Sequence, residues 1–191
     1  ASQNDVRPGR KSNGSATRYR HYSELLAQDD IDAVIVATPD HWHSRITIDA
    51  AKAGKHVYCE KGLTRTFQQA LDVYDTIKET GMILQLGHQN RQVEANDKAK
   101  RIIDQGLLGP INLVELTTNR NSPWGAWVWN IHKDGNNKTI DWDMFQEPSP
   151  NKIPFGEEAL KRFFRWRCWY DYGTGLSGDL FSHDYDALNQ I

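Results

Sequence analysis

The sequence of 191 residues contains only two cysteines, Cys59 and Cys168, too few for a disulfide-stabilised framework. It has no apolar run near the roughly 18 residues that a membrane-spanning helix requires, and no signal-peptide pattern opens it. Neither charge sign dominates, since 23 Lys and Arg residues face 25 Asp and Glu residues. Without a basic stripe, nucleic acid is not an expected partner. We expect a cytoplasmic protein, with the periplasm as the alternative because the opening Ala1 indicates that the true N-terminus is missing.

Tryptophan, in contrast, is abundant, with seven residues of which six lie in the second half of the chain. Core packing accounts for one or two of them. A set clustered in irregular sequence more often lines a ligand surface, where flat apolar rings stack on a sugar or a base. The substrate-stacking surface is predicted to include Trp124, Trp127, Trp129, Trp166 and Trp169.

Continuous apolar runs alternate with amphipathic patterns over the first two thirds of the chain, which predicts an α/β fold. Strands are predicted at 32–38, 55–59, 82–86 and 111–117, and helices near 43–53, 66–81 and 94–105. Such alternation is typical of a parallel sheet wound by right-handed crossovers. Residues 118–160 show no period, and two further helices are predicted near 157–164 and 179–191.

Polar and ionisable residues follow three of the predicted strands. They lie in the segments Thr38–His43, Glu60–Lys61 and Gly87–Arg91. Ligands of an open parallel sheet bind at the carboxyl ends of its strands, so these segments predict a site at one sheet edge. A Glu-Lys pair directly after a buried strand would be an unusual choice for a mere turn.

The segment Gly173–Gly178 matches the dinucleotide fingerprint G-x-G-x-x-G. That fingerprint has meaning only after a buried strand and before an acidic residue some 20 positions on. Here it follows the charged and aromatic segment Arg165–Tyr170, and only 13 residues come after it. We interpret it as a tight turn that lets a helix pack closely.

His41 and His43 form a second ambiguous pattern. Two histidines spaced by one residue can share a metal ion in extended backbone, as in metal-dependent hydrolases. The alternative is a strand-to-helix loop in which the imidazoles make local hydrogen bonds. No carboxylate or cysteine cluster of ligand spacing supports the metal, so the local interpretation is favoured.

Three blocks, in order and correctly spaced, resemble the Gfo/Idh/MocA oxidoreductases, which include glucose–fructose oxidoreductase and inositol dehydrogenase. They are Asp32–His43, Ala53–Lys61 and Gly178–His183. The resemblance extends from about residue 20 to the end. One departure is Gly62, where the family usually has a proline after the Glu-Lys pair.

The resemblance implies a partial NAD(P)-binding Rossmann domain over 1–110, lacking its first strand and glycine-rich turn. It further implies that 111–191 are the N-terminal part of a substrate-binding α/β domain with an antiparallel sheet. The cofactor would be NAD or NADP, and the substrate a sugar or polyol. We expect the full-length protein to form a homo-oligomer through the second-domain sheet, and the present chain, truncated at both ends, to be inactive and to bind dinucleotide poorly.

The resemblance also implies site residues. The catalytic positions are Lys61, Asp179 and His183, and the cofactor-contacting positions are Thr38, Pro39, His43, Glu60 and Gln89. These roles suit the oxidation of a carbinol, which needs a base for the hydroxyl proton and an acceptor for hydride. His183 would be the base, Lys61 would stabilise alkoxide character and Asp179 would orient the imidazole or the substrate.

Three alternatives remain open at this point. An NAD-dependent glycoside hydrolase of the same architecture would oxidise a sugar carbon only transiently. A metal-dependent hydrolase would use His41 and His43. A non-catalytic sugar-binding remnant would bind saccharide through its tryptophans without any dependence on cofactor.

Overall fold

The computed structural model describes residues 16–118 and 125–191. Its helices and strands are α1 (Tyr22–Leu26), β1 (Ala33–Val36), α2 (Asp40–Lys52), β2 (His56–Glu60), α3 (Phe67–Thr80), β3 (Leu84–Gly87), a 3₁₀ helix (Gln89–Gln92), α4 (Glu94–Asp104), α5 (Trp142–Gln146), α6 (Glu157–Phe164), a second 3₁₀ helix (Trp166–Cys168), a π-helical turn (Ser177–Phe181) and α7 (Ser182–Gln190). Within these residues, none of the helices combines the length and apolar character needed to cross a membrane.

The three strands form a parallel sheet in the order β1-β2-β3, which confirms the predicted α/β class. Val36 pairs with Cys59, and Cys59 pairs with Leu86. One face of the sheet packs against α2, so that Val36, Cys59 and Ala50 of that helix are buried in a common core. Full burial of a side chain the size of Val36 contributes roughly 1.5–3 kcal/mol. Parallel pairing also brings the ends of all three strands to one edge.

The predicted helix over 66–81 is confirmed as α3, and local chemistry explains both of its ends. The Thr66 hydroxyl accepts the Gln69 N–H at 3.2 Å, which satisfies one of the free donors of the first turn. The helix ends at Gly81, whose φ of 69° is the left-handed conformation that glycine adopts without steric cost.

The predicted strand over 111–117 is not formed. In the structure this segment is irregular and pairs with none of the three strands. Leu113 and Val114 are 81% and 53% exposed, so their side chains gain little from an extended conformation. An apolar run becomes a strand only where a neighbouring ladder and a covering layer are available.

A second core lies among the helices of the C-terminal part. Trp142, Ala159 and Tyr172 are buried there, and the ring of Phe145 stacks on Trp142 with centroids 5.3 Å apart. No strand occurs in the described residues from 125 onward, so the antiparallel sheet expected for 111–191 is not represented in this part of the chain. The domain boundary near residue 110 stays a prediction.

The two cores are joined at the N-terminus of α2. The Trp42 indole N–H donates to the carbonyl oxygen of Phe145 at 3.0 Å, and the His41 backbone N–H donates to that of Tyr172 at 3.2 Å. These bonds fasten the C-terminal loops to the sheet edge where the strands end. The loops that precede Asp179 and His183 are thereby placed against the first core.

Candidate active site

Lys61 and Asp179 meet at the sheet edge although 118 residues separate them. Lys61 directly follows β2, and its ammonium donates to the Asp179 carboxylate and, at 2.5 Å, to the Asp179 backbone carbonyl. The two side chains are only 14% and 7% exposed. A buried ion pair of this kind needs further hydrogen bonds to offset desolvation, and the second bond from Lys61 supplies one.

Arg167 is a further cation at this pair, and the sequence reasoning missed it. Its Nε lies 3.5 Å from Oδ2 of Asp179, whereas Lys61 donates to the other carboxylate oxygen, Oδ1. The guanidinium is also held 4.1 Å above the ring of Trp166. The Asp179 carboxylate therefore lies between two positive groups.

Asp179 lies in a π-helical turn, Ser177–Phe181, that leads into α7. Such turns are rare and often occur at functional sites. Glycine at 178 permits the local packing, because a Cβ there would lie 2.2 Å from the Cβ and Oγ1 of Thr174. The G-x-G-x-x-G segment is thus a close-packing turn, as interpreted from the sequence, with Asp179 immediately after it.

His183 follows on α7, and its ring packs edge to face against His88, with centroids 5.6 Å apart. The pKa of His183 is lowered, chiefly because burial disfavours the imidazolium, and further by the positive charges of Lys61 and His88. A larger share of the imidazole is then neutral near physiological pH. The ring is therefore suited to accept a proton.

Asp40 and Thr174 form a second link across the site that the sequence reasoning did not identify. Oδ2 of buried Asp40 accepts the Thr174 backbone N–H at 3.1 Å and the Thr174 hydroxyl at 2.8 Å. Burial raises the pKa of Asp40, whereas the hydrogen bonds from Thr174 oppose that rise. Gly62 lies beside the link, where a Cβ would be 3.1 Å from Oγ1 of Thr174. This contact gives a steric reason for glycine after Lys61.

The Thr174→Val variant is expected to lower the free energy of unfolding by about 1–2 kcal/mol, because the buried Asp40 carboxylate loses the hydrogen bond from the Thr174 hydroxyl. Valine keeps the shape of threonine, so packing is little changed. Urea unfolding of this chain measures the effect. Thr117→Val, at an exposed threonine, is the matched control. Equal unfolding midpoints for all three proteins would show that the Asp40–Thr174 link contributes nothing.

Thr38 and Pro39, predicted to contact the cofactor, line a cavity of about 410 Å³. Oγ1 of Thr38 is buried and has no hydrogen-bond partner within residues 16–118 and 125–191. An unsatisfied buried hydroxyl of this kind is a candidate contact for a polar ligand group. The cavity continues between Trp42 and Met144, so both parts of the chain contribute to it.

His43 and His41 are used for bonds to the backbone. The ring nitrogens of His43 lie 2.6 Å from the Thr38 carbonyl oxygen and 3.0 Å from that of Gly62, which links the ends of β1 and β2. Nε2 of His41 lies 2.6 Å from the Phe145 carbonyl oxygen. In the part of the chain that the structure describes, no three His, Cys, Asp or Glu side chains are grouped to hold a metal ion. The imidazoles therefore bond to backbone carbonyls, but they lie in α2 rather than in a loop, and the partner of His41 is distant in sequence.

Glu60 and Gln89 flank the site. Glu60 ends β2, and a Cβ on the adjacent Gly87 would lie 3.1 Å from its Oε2, so the carboxylate lies directly over that glycine. Gln89 begins the 3₁₀ helix after β3 and is exposed. Their cofactor contacts stay predictions, as does that of His43.

The predicted tryptophan surface divides into different environments. Trp166 and Trp169 are half-buried against the second core, and Arg162 lies 4.1 Å above the ring of Trp169. Trp129 is 61% exposed, and Trp127 has a φ of 59°, a left-handed conformation uncommon outside glycine. The prediction for Trp124 falls outside the described residues.

Alanine replacements should separate these environments. Trp169→Ala is expected to lower the free energy of unfolding by about 2 kcal/mol, because it removes part of the second core. Trp129→Ala should change it by less than about 0.5 kcal/mol, since its ring is mostly in solvent. In the full-length parent, Trp129→Ala should instead raise the Michaelis constant for a saccharide. An unchanged Michaelis constant would remove Trp129 from the substrate surface.

A short parallel sheet with a buried Lys-Asp pair and a histidine at its strand ends defines an α/β protein of the dinucleotide-binding class. Comparison with known proteins agrees, because residues 3–88 match the model of an oxidoreductase family with an NAD-binding Rossmann fold, Gfo/Idh/MocA. Over these residues the chain is similar to that family, in agreement with the resemblance of its sequence blocks.

Three relatives illustrate the similarity. Levoglucosan dehydrogenase of Pseudarthrobacter phenanthrenivorans is 37% identical over 90 residues, which are 47% of this chain and 23% of that protein. The scyllo-inositol 2-dehydrogenase (NAD(+)) of Bacillus subtilis is 39% identical over 106 residues, 55% of this chain and 31% of that protein. An uncharacterized oxidoreductase of Synechocystis sp. is 30% identical over 181 residues, 95% of this chain and 40% of that protein. The chain thus spans at most two fifths of these relatives.

Proposed function

We propose that the full-length protein is an NAD(P)-dependent oxidoreductase that acts on a CH–OH group of a sugar, a sugar derivative or a cyclitol. The observation that carries the proposal is the convergence of Lys61, Asp179 and His183 at the strand ends. Two of the relatives are named as dehydrogenases of levoglucosan and of scyllo-inositol, which supports this substrate class.

The cavity lined by Thr38 and Pro39 has features that suit a nicotinamide cofactor. The cavity beside Thr38 and Pro39 supplies space, and the unpartnered Thr38 hydroxyl supplies a polar contact. Glu60 at the end of β2 is a candidate acceptor for ribose hydroxyls. When bound, the nicotinamide supplies the hydride acceptor of the reaction.

In this scheme Lys61 holds the reacting oxygen. An ammonium has three donors, and two of those of Lys61 are taken by the carboxylate and carbonyl of Asp179. Among the residues that the structure describes, nothing takes the third donor, which can serve the substrate hydroxyl as its oxygen gains negative charge. Because Asp179 fixes the ammonium before substrate arrives, little reorganisation is needed at the moment of reaction.

His183 is the proton acceptor in this scheme. Its lowered pKa favours the neutral ring, so the imidazole can accept the substrate O–H proton. A bound oxidised nicotinamide would supply the acceptor for the hydride of the C–H bond. The carbinol becomes a ketone, and one proton and one hydride are accounted for. Asp179, which precedes His183 by one helical turn, orients Lys61.

The test is an assay of the full-length parent with NAD⁺ and NADP⁺ against a panel of pyranoses and inositols. We expect reduced nicotinamide to accumulate with at least one member of the panel. Release of an aglycone from a glycoside without such accumulation would favour the NAD-dependent hydrolase. Hydrolysis lost on chelation would favour the metal alternative, and saccharide binding without any cofactor dependence would favour the binding remnant.

A further inference from the structure

His88 lies at the candidate site, and none of the roles described so far uses it. It is the first residue after β3. Its backbone N–H donates to the Leu86 carbonyl at 2.9 Å, and its own carbonyl accepts the Arg91 N–H at 3.2 Å. The backbone that carries the ring is therefore held on both sides. His88 therefore lies at the end of β3 on a backbone that two hydrogen bonds hold in place.

The helix that carries His183 is tied to the same strand end. Arg91 Nε contacts both carboxylate oxygens of Asp186 at 2.8 and 2.9 Å, and Gln190 Nε2 donates to the Arg91 carbonyl at 3.0 Å. These bonds hold α7 against the 3₁₀ helix Gln89–Gln92. The distance between the rings of His88 and His183 is thus set by two anchored elements.

The two imidazoles are perpendicular, with an angle of 87° between their planes and centroids 5.6 Å apart. Nδ1 of each ring is buried and has no hydrogen-bond partner among the residues that the structure describes. Most buried polar atoms in proteins are hydrogen-bonded, so an unsatisfied nitrogen on each of two neighbouring imidazoles calls for an explanation. Within the described part of the chain, neither ring bonds to a carboxylate or a carbonyl in the manner of His43.

We propose that His88 is a positioning residue for His183, which fixes the orientation of the His183 imidazole by edge-to-face contact and opposes a second positive charge beside it. This role rests on the proposed function, in which His183 accepts the substrate proton. A positive charge at position 88 disfavours a second one on His183, because the two ring centroids are only 5.6 Å apart in a partly buried site.

Other charges also face His183. Burial, Lys61 and His88 lower its pKa, whereas the carboxylates of Asp179 and Glu60 act in the opposite direction. Lys61 and Asp179 are paired with each other, so their effects on His183 partly cancel. His88 is the facing basic group whose ring contacts that of His183.

The experiment is a side-chain NMR titration of the histidines in this chain, with His183 assigned by its absence in His183→Asn. His88→Gln removes a titrating charge and is expected to raise the pKa of His183. His88→Lys places a permanent positive charge at the same position and is expected to lower it. His132→Gln, at an exposed histidine, is the control and should leave His183 unchanged. The same His183 midpoint in all four proteins would overturn the proposal.

A second measurement concerns position rather than charge. In the full-length parent, His88→Ala is expected to lower kcat by roughly tenfold on the alkaline plateau of the pH profile, where His183 is neutral, because the ring loses its orientation. The acid limb of kcat/KM should move to higher pH in His88→Gln and to lower pH in His88→Lys. If His88 only supported the fold, His88→Gln and His88→Lys would not shift the acid limb of kcat/KM in opposite directions.

The two proposals fail in different ways. If His183→Asn abolishes turnover while the His88 variants leave both the limb and the titration unchanged, the role of His88 is wrong and the proposed function stands. If the parent oxidises no sugar or cyclitol, the proposed function is wrong, and the titration still decides whether the rings are coupled.

Discussion

Turnover of the full-length parent is expected to fall by roughly 10²–10⁴-fold in Lys61→Ala and by the same order in His183→Ala, which is the usual cost of removing a positioned acid–base group. Lys61 holds the developing alkoxide, and His183 takes its proton. Both act on one proton transfer, so the double variant should lose much less than the product of the two single losses. Asp179→Asn should do milder harm, since the amide keeps a hydrogen-bonding shape.

Folding must be separated from chemistry in these variants, because Lys61 and Asp179 form a buried pair. Removal of one partner of such a pair is destabilising when the other charge is left unpaired. Arg167 remains beside Asp179 in Lys61→Ala and limits that cost. Thermal unfolding and NAD(P) affinity of each variant are therefore measured with turnover. Lys98→Ala, at an exposed lysine of a surface pair, is the control. Near-normal turnover in folded Lys61→Ala would contradict the mechanism.

The stability of this chain is expected to fall by about 3 kcal/mol between pH 6.5 and pH 4 because of His41 alone. Burial lowers the pKa of His41 from 6.5 to about 4, and each pKa unit corresponds to about 1.4 kcal/mol. In this window the unfolded chain binds a proton that the folded chain does not. The contribution is therefore complete above pH 6.5 and is lost as the pH falls towards 4.

The measurement is the urea unfolding free energy of the wild type and His41→Gln at several pH values. Glutamine can still donate to the Phe145 carbonyl but does not titrate, so the difference between the two proteins should shrink or change sign as the pH falls. Burial raises the pKa of Asp40, which gives the opposite slope, but Asp40 is present in both proteins. His132→Gln should keep the wild-type slope. A parallel dependence in wild type and His41→Gln would refute the assignment.

Much of the fold was predictable because local patterns carry it. The apolar run before Thr38 became β1, and the run before Glu60 became β2, since continuous β-branched and apolar residues suit a sheet covered by helices. Thr66 and Gly81 marked the ends of α3. The segment 111–117 had the same local pattern, and the prediction was wrong because a strand also needs a partner.

The candidate site was predictable only in part. Strand ends and family blocks pointed to Lys61, Asp179 and His183. Asp40 and His88 lie within the strand-end segments Thr38–His43 and Gly87–Arg91 that the sequence singled out, but the sequence could not say what they contact. No pattern in the sequence identifies Arg167 as a partner of Asp179.

The sequence by itself determined the alternation of strands and helices and the collection of polar groups at one sheet edge, because both depend on the spacing of residues along a few turns or strand lengths. Only the tertiary structure decided which of those groups meet. Lys61 contacts Asp179, which is 118 positions away in the sequence, and Asp40 contacts Thr174, which is 134 positions away. Such pairs depend on where the C-terminal loops pack against α2. That packing is the sum of many weak contacts between distant segments, and it leaves no periodic signal in the chain.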